Sequence, residues 1–117
     1  MANKILVPLD RSELAEKALT QVQQWALRDG STVILLHIGT YMTAELRREA
    51  EKYMAGQLAY LERQGVTAEV LLLTGDPAGI IIDVAKREAV KVIIMSTHGK
   101  SGLTRWMLGS VTERVLQ

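Results

Sequence analysis

The sequence predicts a single α/β domain over residues 1–117, an open parallel sheet with helices on both faces, and three observations carry that prediction. Four short runs of branched apolar residues recur, at Lys4 to Leu9, Thr32 to Ile38, Val70 to Leu73 and Val90 to Met95. Runs of that kind are strands buried on both faces, the habit of parallel sheets. Between them lie longer segments whose apolar residues repeat at three and four, the spacing of a helix with one buried stripe. The connections are short and carry no Pro/Ser-rich linker or internal repeat, so the order is β-α-β-α-β-α-β-α with right-handed crossovers.

The first helix follows from Leu14, Ala15, Ala18, Leu19, Val22, Trp25 and Ala26 and ends near Asp29-Gly30. The second runs from about Met42 to Gln64, with Leu46, Ala50, Tyr53, Met54, Leu58 and Leu61 as its stripe. Its many charges belong on the solvated side, because charged residues are rarely buried unpaired. Gly75-Asp76-Pro77 opens a third helix, Asp76 as N-cap and Pro77 at the first helical position, where a missing N–H costs nothing. Ile80, Ile81, Val84 and Ala85 form its buried face. Ser110-Val111-Thr112-Glu113 is a capping box that starts a last helix at about Val111.

Composition excludes several classes of function. Hydrophobic residues make up 48% and charged residues 23%, which predicts a packed core rather than a disordered tail. Lys plus Arg number 14 against 13 Asp plus Glu, so a net charge of +1 gives no general attraction to nucleic acid or an acidic membrane. Any anion must be held locally. The absence of Cys removes disulfides and thiolate chemistry and suits a reducing cytoplasm, the compartment expected here. The apolar run after Met1-Ala2-Asn3-Lys4 is too short for a signal peptide or membrane span.

An open parallel sheet binds ligands beyond the carboxyl ends of its strands, where strand order reverses. The segments leaving those ends are Asp10-Arg11-Ser12, Gly39-Thr40, Thr74-Gly75-Asp76 and Ser96 to Ser110. The last of these has Gly99, Gly102 and Gly109, the cations Lys100 and Arg105, and several hydroxyls. Glycine lets backbone amides approach an anion, and the helix after Gly109 points its N-terminus at the same place, which together suit a phosphate. The same glycines would also serve an ordinary surface loop, but loops of this length in compact domains are usually functional or disordered. Leu103, Trp106, Met107 and Leu108 are too apolar for disorder, and Leu103 to Leu108 is expected as a helical turn packed on the core. Gly99-Lys100-Ser101 is not the end of a Walker A loop, because the position of its leading glycine is Ile94, inside a strand. The dinucleotide fingerprint is absent too. His37 and His98 make a weak metal pair, and no metal site is assigned to them.

Met95 to Gln117, with Ile5-Leu6-Val7-Pro8-Leu9-Asp10-Arg11-Ser12 and Leu35-Leu36-His37-Ile38, resembles the universal stress proteins, and the resemblance covers the whole chain. It implies a Rossmann-like fold of the adenine nucleotide α-hydrolase type. ATP-binding members carry Gly-x-x-Gly, nine residues, then Gly-Ser or Gly-Thr. Gly99, the nine residues Lys100 to Leu108, and Gly109-Ser110 fit that spacing, while Ser96 stands where the first glycine would be.

What the resemblance implies for function is an ATP-binding regulatory module of the stress response, acting by binding rather than catalysis. Pro8, Leu9, Asp10 and Ile38 would border adenine and ribose. Met95, Ser96, His98, Gly99, Lys100 and Ser101 would follow the ribose and phosphates, and Gly109, Ser110 and Val111 would close the phosphate cradle. The ligand would be ATP or AMP, with any Mg²⁺ carried in by the nucleotide. A homodimer is implied as well, together with a fifth strand beyond the last helix, before which this sequence stops. Two alternatives stay open: an interaction module of the same family that binds no nucleotide, favoured by Ser96, and a slow ATP hydrolase. Rapid turnover is not expected, because Ser96 to Ser110 holds no carboxylate to position metal or water. A phospho-receiver is rejected on the length of that loop and the lack of an acidic cluster at the strand ends.

Overall fold

Strands and helices alternate in the order the apolar runs dictate: β1 (Lys4–Pro8), α1 (Glu13–Asp29), β2 (Thr32–Gly39), α2 (Ala44–Arg63), β3 (Ala68–Thr74), α3 (Pro77–Arg87) and β4 (Val92–Ser96). A further strand, β5 (Leu103–Met107), follows among the described residues. The structure is a computed structural model that describes residues 3–9, 13–96 and 103–107, by backbone alone at 13–17, 96 and 103–107.

The sheet order is β3-β2-β1-β4-β5. The first four strands are parallel, and β5 runs antiparallel to β4 with Met95 opposite Thr104. From β1 the chain steps outward to β2 and β3, then turns back past β1 to reach β4. Right-handed crossovers require that reversal to change faces. The packing follows. Leu19, Val22 and Ala26 of α1 and Met54 and Leu61 of α2 bury against Ile5, Val7, Val33, Leu35, Val92 and Ile94. Ile81, Ile82, Val84 and Ala85 of α3 bury on the opposite face against Leu6, Ile34, Leu36 and Ile93. Alternate residues of one strand thus feed two cores, which is why the strands read as unbroken apolar runs. Each fully buried branched side chain contributes roughly 1.5–3 kcal/mol.

The predicted start of α3 is observed: the Asp76 carboxylate accepts the Gly79 N–H at 2.9 Å, and Pro77 follows it. At the start of α2 the Thr43 hydroxyl accepts the Leu46 N–H at 3.1 Å. Three expectations need correction. Leu46 lies outside the buried stripe, 43% exposed in the first turn of α2, whose buried residues begin at Ala50. Val90 precedes β4 and instead packs as a buried residue at the end of α3. Leu103 to Met107 is a strand and not part of a helical turn. The outer edge of β4 would otherwise expose a row of backbone donors and acceptors, and a segment containing Thr104 and Trp106 suits a strand as well as a helix. This strand comes before the expected last helix, so it is not the fifth strand that the resemblance implies. The helix from Val111 lies outside the described residues.

Pro8 decides where the sheet opens. In β1 the odd-numbered residues turn their polar groups to β2: the Asn3 carbonyl accepts from Thr32, and the Leu9 N–H donates to Leu36 at 2.8 Å. The even-numbered ones face β4, as where the Lys4 carbonyl accepts from Lys91. Pro8 is even and has no N–H to give, so the rung it would supply is missing. Pairing of β1 with β4 ends at Leu6 opposite Ile93, whereas pairing with β2 continues to Pro8 opposite Leu36. The carboxyl ends of β1 and β4 are therefore free to part.

Candidate functional site

A cavity of ≈ 310 Å³ lies at the carboxyl ends of these strands, lined by Pro8, Leu9, Leu36, His37, Ile38, Pro77, Ile81 and Met95. Its volume falls at the lower end of the range for small-molecule sites, roughly 300–1,000 Å³. Each wall has a local cause. Pro8 and Leu9 are the end of β1 where the ladder to β4 has stopped, and Met95 is on β4 across that gap. Leu36, His37 and Ile38 come from the end of β2, which runs on past β1 to Gly39.

Pro77 and Ile81 bring the first turns of α3 over the opening. Their position depends on Gly75, whose N–H donates to the Gly39 carbonyl at 3.0 Å while its φ is 143°. That backbone is open to glycine alone, and a Cβ there would lie 3.0 Å from Ile80 Cδ1. The chain can then turn at once into the Asp76 cap. Among the described residues the walls are apolar except for His37, whose Nδ1–H donates to the Leu9 carbonyl at 2.7 Å. A carbonyl only accepts, so this bond places a proton on Nδ1 and leaves Nε2 as the variable nitrogen.

Of the residues expected at a site, Pro8, Leu9, Ile38 and Met95 meet around this one cavity. Ser96 ends β4 with its backbone opposite Leu103. Asp10, His98, Gly99, Lys100, Ser101, Gly109, Ser110 and Val111 lie outside the described residues. Leu36, His37, Pro77 and Ile81 were not expected at the site from sequence. A histidine inside an apolar strand and a proline opening a helix at a strand end were the available signals.

The marked electrostatics are at the other end of the sheet. Asp29 accepts from the Ser31 hydroxyl at 2.9 Å and faces Lys91 at 3.7 Å, and Lys4 pairs with Glu88 at 3.0 Å. These pairs sit at the amino ends of the strands. Among the described residues no three His, Cys, Asp or Glu side chains gather as a metal site would require, and no helix is long and apolar enough to cross a membrane.

The model of the universal stress protein family matches residues 1–117. The chain belongs to the universal stress protein family. Universal stress protein MJ0577 of Methanocaldococcus jannaschii is 32% identical, over 100% of this chain and 90% of its own length. The solved structure of MJ0577 superposes with a TM-score of 0.77 at 35% identity, covering 99% of this chain and 89% of that one. Universal stress protein YxiE of Bacillus subtilis is 29% identical over 100% of this chain and 93% of its own. The universal stress protein from Archaeoglobus fulgidus solved in complex with dAMP shares the fold, with a TM-score of 0.75 at 23% identity over 97% of this chain and 89% of that one.

Proposed function

We propose that this universal stress protein binds an adenine nucleotide, ATP or AMP, in the crevice between the ends of β1 and β4, and that binding rather than turnover is its function. The observation that carries the reading is the cavity at the point of strand reversal, where Pro8, Leu9, Ile38 and Met95 converge. Its apolar walls suit the flat base of a nucleotide. The segment after β4, with Gly99, Lys100, Gly109 and Ser110, is the part of the sequence suited to phosphates. Support also comes from family members solved with dAMP and with cAMP, which hold adenine nucleotides on this fold.

Ser96 and the apolar walls bear on the finer choices. The sequence from Ser96 to Ser110 holds no carboxylate to activate water or hold metal, which supports a binding module over a hydrolase. Any Mg²⁺ would arrive with ATP. Such a module works in the cytoplasm as a homodimer whose partner choice or conformation responds to the nucleotide. The second reading, an interaction module that binds no nucleotide, draws on Ser96 alone.

Isothermal titration with ATP and with AMP tests the proposal. Saturable binding of at least one of them is expected, weakened at least about tenfold by Ile38→Trp, which fills the cavity from its rim. No binding of either at millimolar ligand would remove the nucleotide reading and leave the second.

A further inference from the structure

His37 is the one polar side chain among the described residues that line the cavity, and it is already committed. Its ring holds the carbonyl of Leu9, a residue 28 positions earlier, at 2.7 Å. The N–H of that same Leu9 donates to the Leu36 carbonyl at 2.8 Å. Leu9 is thus tied to β2 through both of its backbone polar groups, once by main chain and once by the His37 ring. The second tie answers a need that Pro8 creates. With no N–H at Pro8 and no pairing with β4 beyond Leu6, the last residues of β1 are held from the β2 side alone. The strand ends at Pro8, and the carbonyl that follows is taken by a side chain.

We infer that His37 is a positioning residue of the nucleotide site: its Nδ1–H clamps Leu9 so that the Pro8–Leu9 wall keeps its separation from Met95. The inference rests on the nucleotide reading for its functional half; the clamp itself does not.

The test compares His37→Leu, which keeps bulk without a donor, with His37→Asn, whose amide N–H reaches about the position of Nδ1. Two quantities are read on the ligand-free and AMP-titrated protein: hydrogen exchange of the Leu9 amide against the Leu6 and Ile34 amides, and AMP affinity. For H37L the expectation is about tenfold faster Leu9 exchange with the core amides unchanged, and AMP binding weaker by about five- to tenfold. In H37N both should return to within about twofold of wild type. If H37L does not fold, His37→Gln serves as the loss variant, since its amide lies one bond farther out. A merely structural histidine would lower the unfolding midpoint and leave AMP affinity unchanged. Unaltered Leu9 exchange in H37L, or an H37N no better than H37L, would overturn the clamp. Leu9 exchange released in H37L and restored in H37N, in a protein that binds neither AMP nor ATP, would remove the nucleotide reading and the positioning role with it, and keep the clamp.

Discussion

At the residue scale, Asp29 and Pro8 show how single side chains set properties of the whole. The Asp29 carboxyl is held below its ordinary value of 3.8, first by the Ser31 hydroxyl, against the opposing effect of lost water, and further by the charge of Lys91 and by Asn3. A group whose pKa is lowered by folding stabilises the native state above its unfolded value, and that contribution is lost as pH falls through the lowered folded value. Asp29→Asn should therefore be less stable than wild type at about pH 6, with the gap closing below about pH 4, as read by urea unfolding across that range. A gap that stays constant with pH would assign it to something other than the charge. Pro8 was legible as a residue and as a site neighbour but not as the cause of the site. That cause depends on which side of β1 its missing N–H faces, and parity across three strands cannot be read before strand order is known.

At the element scale, all three described helices end in the same way. After α1, α2 and α3 the chain turns through Gly30, Gly65 and Ala89, with φ of 68°, 85° and 53°. The next residue donates back to the last turn, Ser31 to Ala26, Val66 to Leu61 and Val90 to Ala85, at 3.0 to 3.1 Å. This is the Schellman closure, which favours glycine at the turning residue. Ala89 carries a Cβ in a left-handed conformation that costs an L-residue about 1–2 kcal/mol. Ala89→Gly should stabilise the protein by about 0.5–1 kcal/mol, part of the relief being offset by the freer unfolded chain. Gly30→Ala should act in the opposite sense, because nothing lies within 4 Å of where its Cβ would sit and only the backbone is strained. Both are read from urea midpoints at constant m. Local signals of this kind made the elements legible: the Asp76-Pro77 start and the Asp29-Gly30 stop are where the sequence places them. The strand at Leu103 to Met107 was not legible. A five-residue run of Leu103, Trp106 and Met107 interrupted by Thr104 and Arg105 has no decisive period, and what selects the strand is the edge of β4, a partner outside the local pattern.

For the whole molecule, the reversal between β1 and β4 joins fold to function. It sends α1 and α2 to one face and α3 to the other, and it leaves the parted strand ends with a cavity between them. Parallel strands and the location of the site could be argued from the order of apolar runs. The contributions of Leu36, His37, Pro77 and Ile81 could not, because they depend on how far β2 outruns β1 and on where α3 begins in space. A second cavity of ≈ 310 Å³, lined by Leu19, Thr20, Gly56, Gln57 and Tyr60 between α1 and α2, gives the proposed nucleotide site a competitor within the same protein. Amide and methyl chemical-shift changes on titration with AMP and with ATP distinguish the two. Binding at the strand reversal predicts changes centred on Leu9, Ile38, Ile81 and Met95, with Leu19, Gly56 and Tyr60 unmoved. Saturable changes confined to Leu19, Gly56 and Tyr60, or none at either place with AMP or ATP at millimolar concentration, would contradict it.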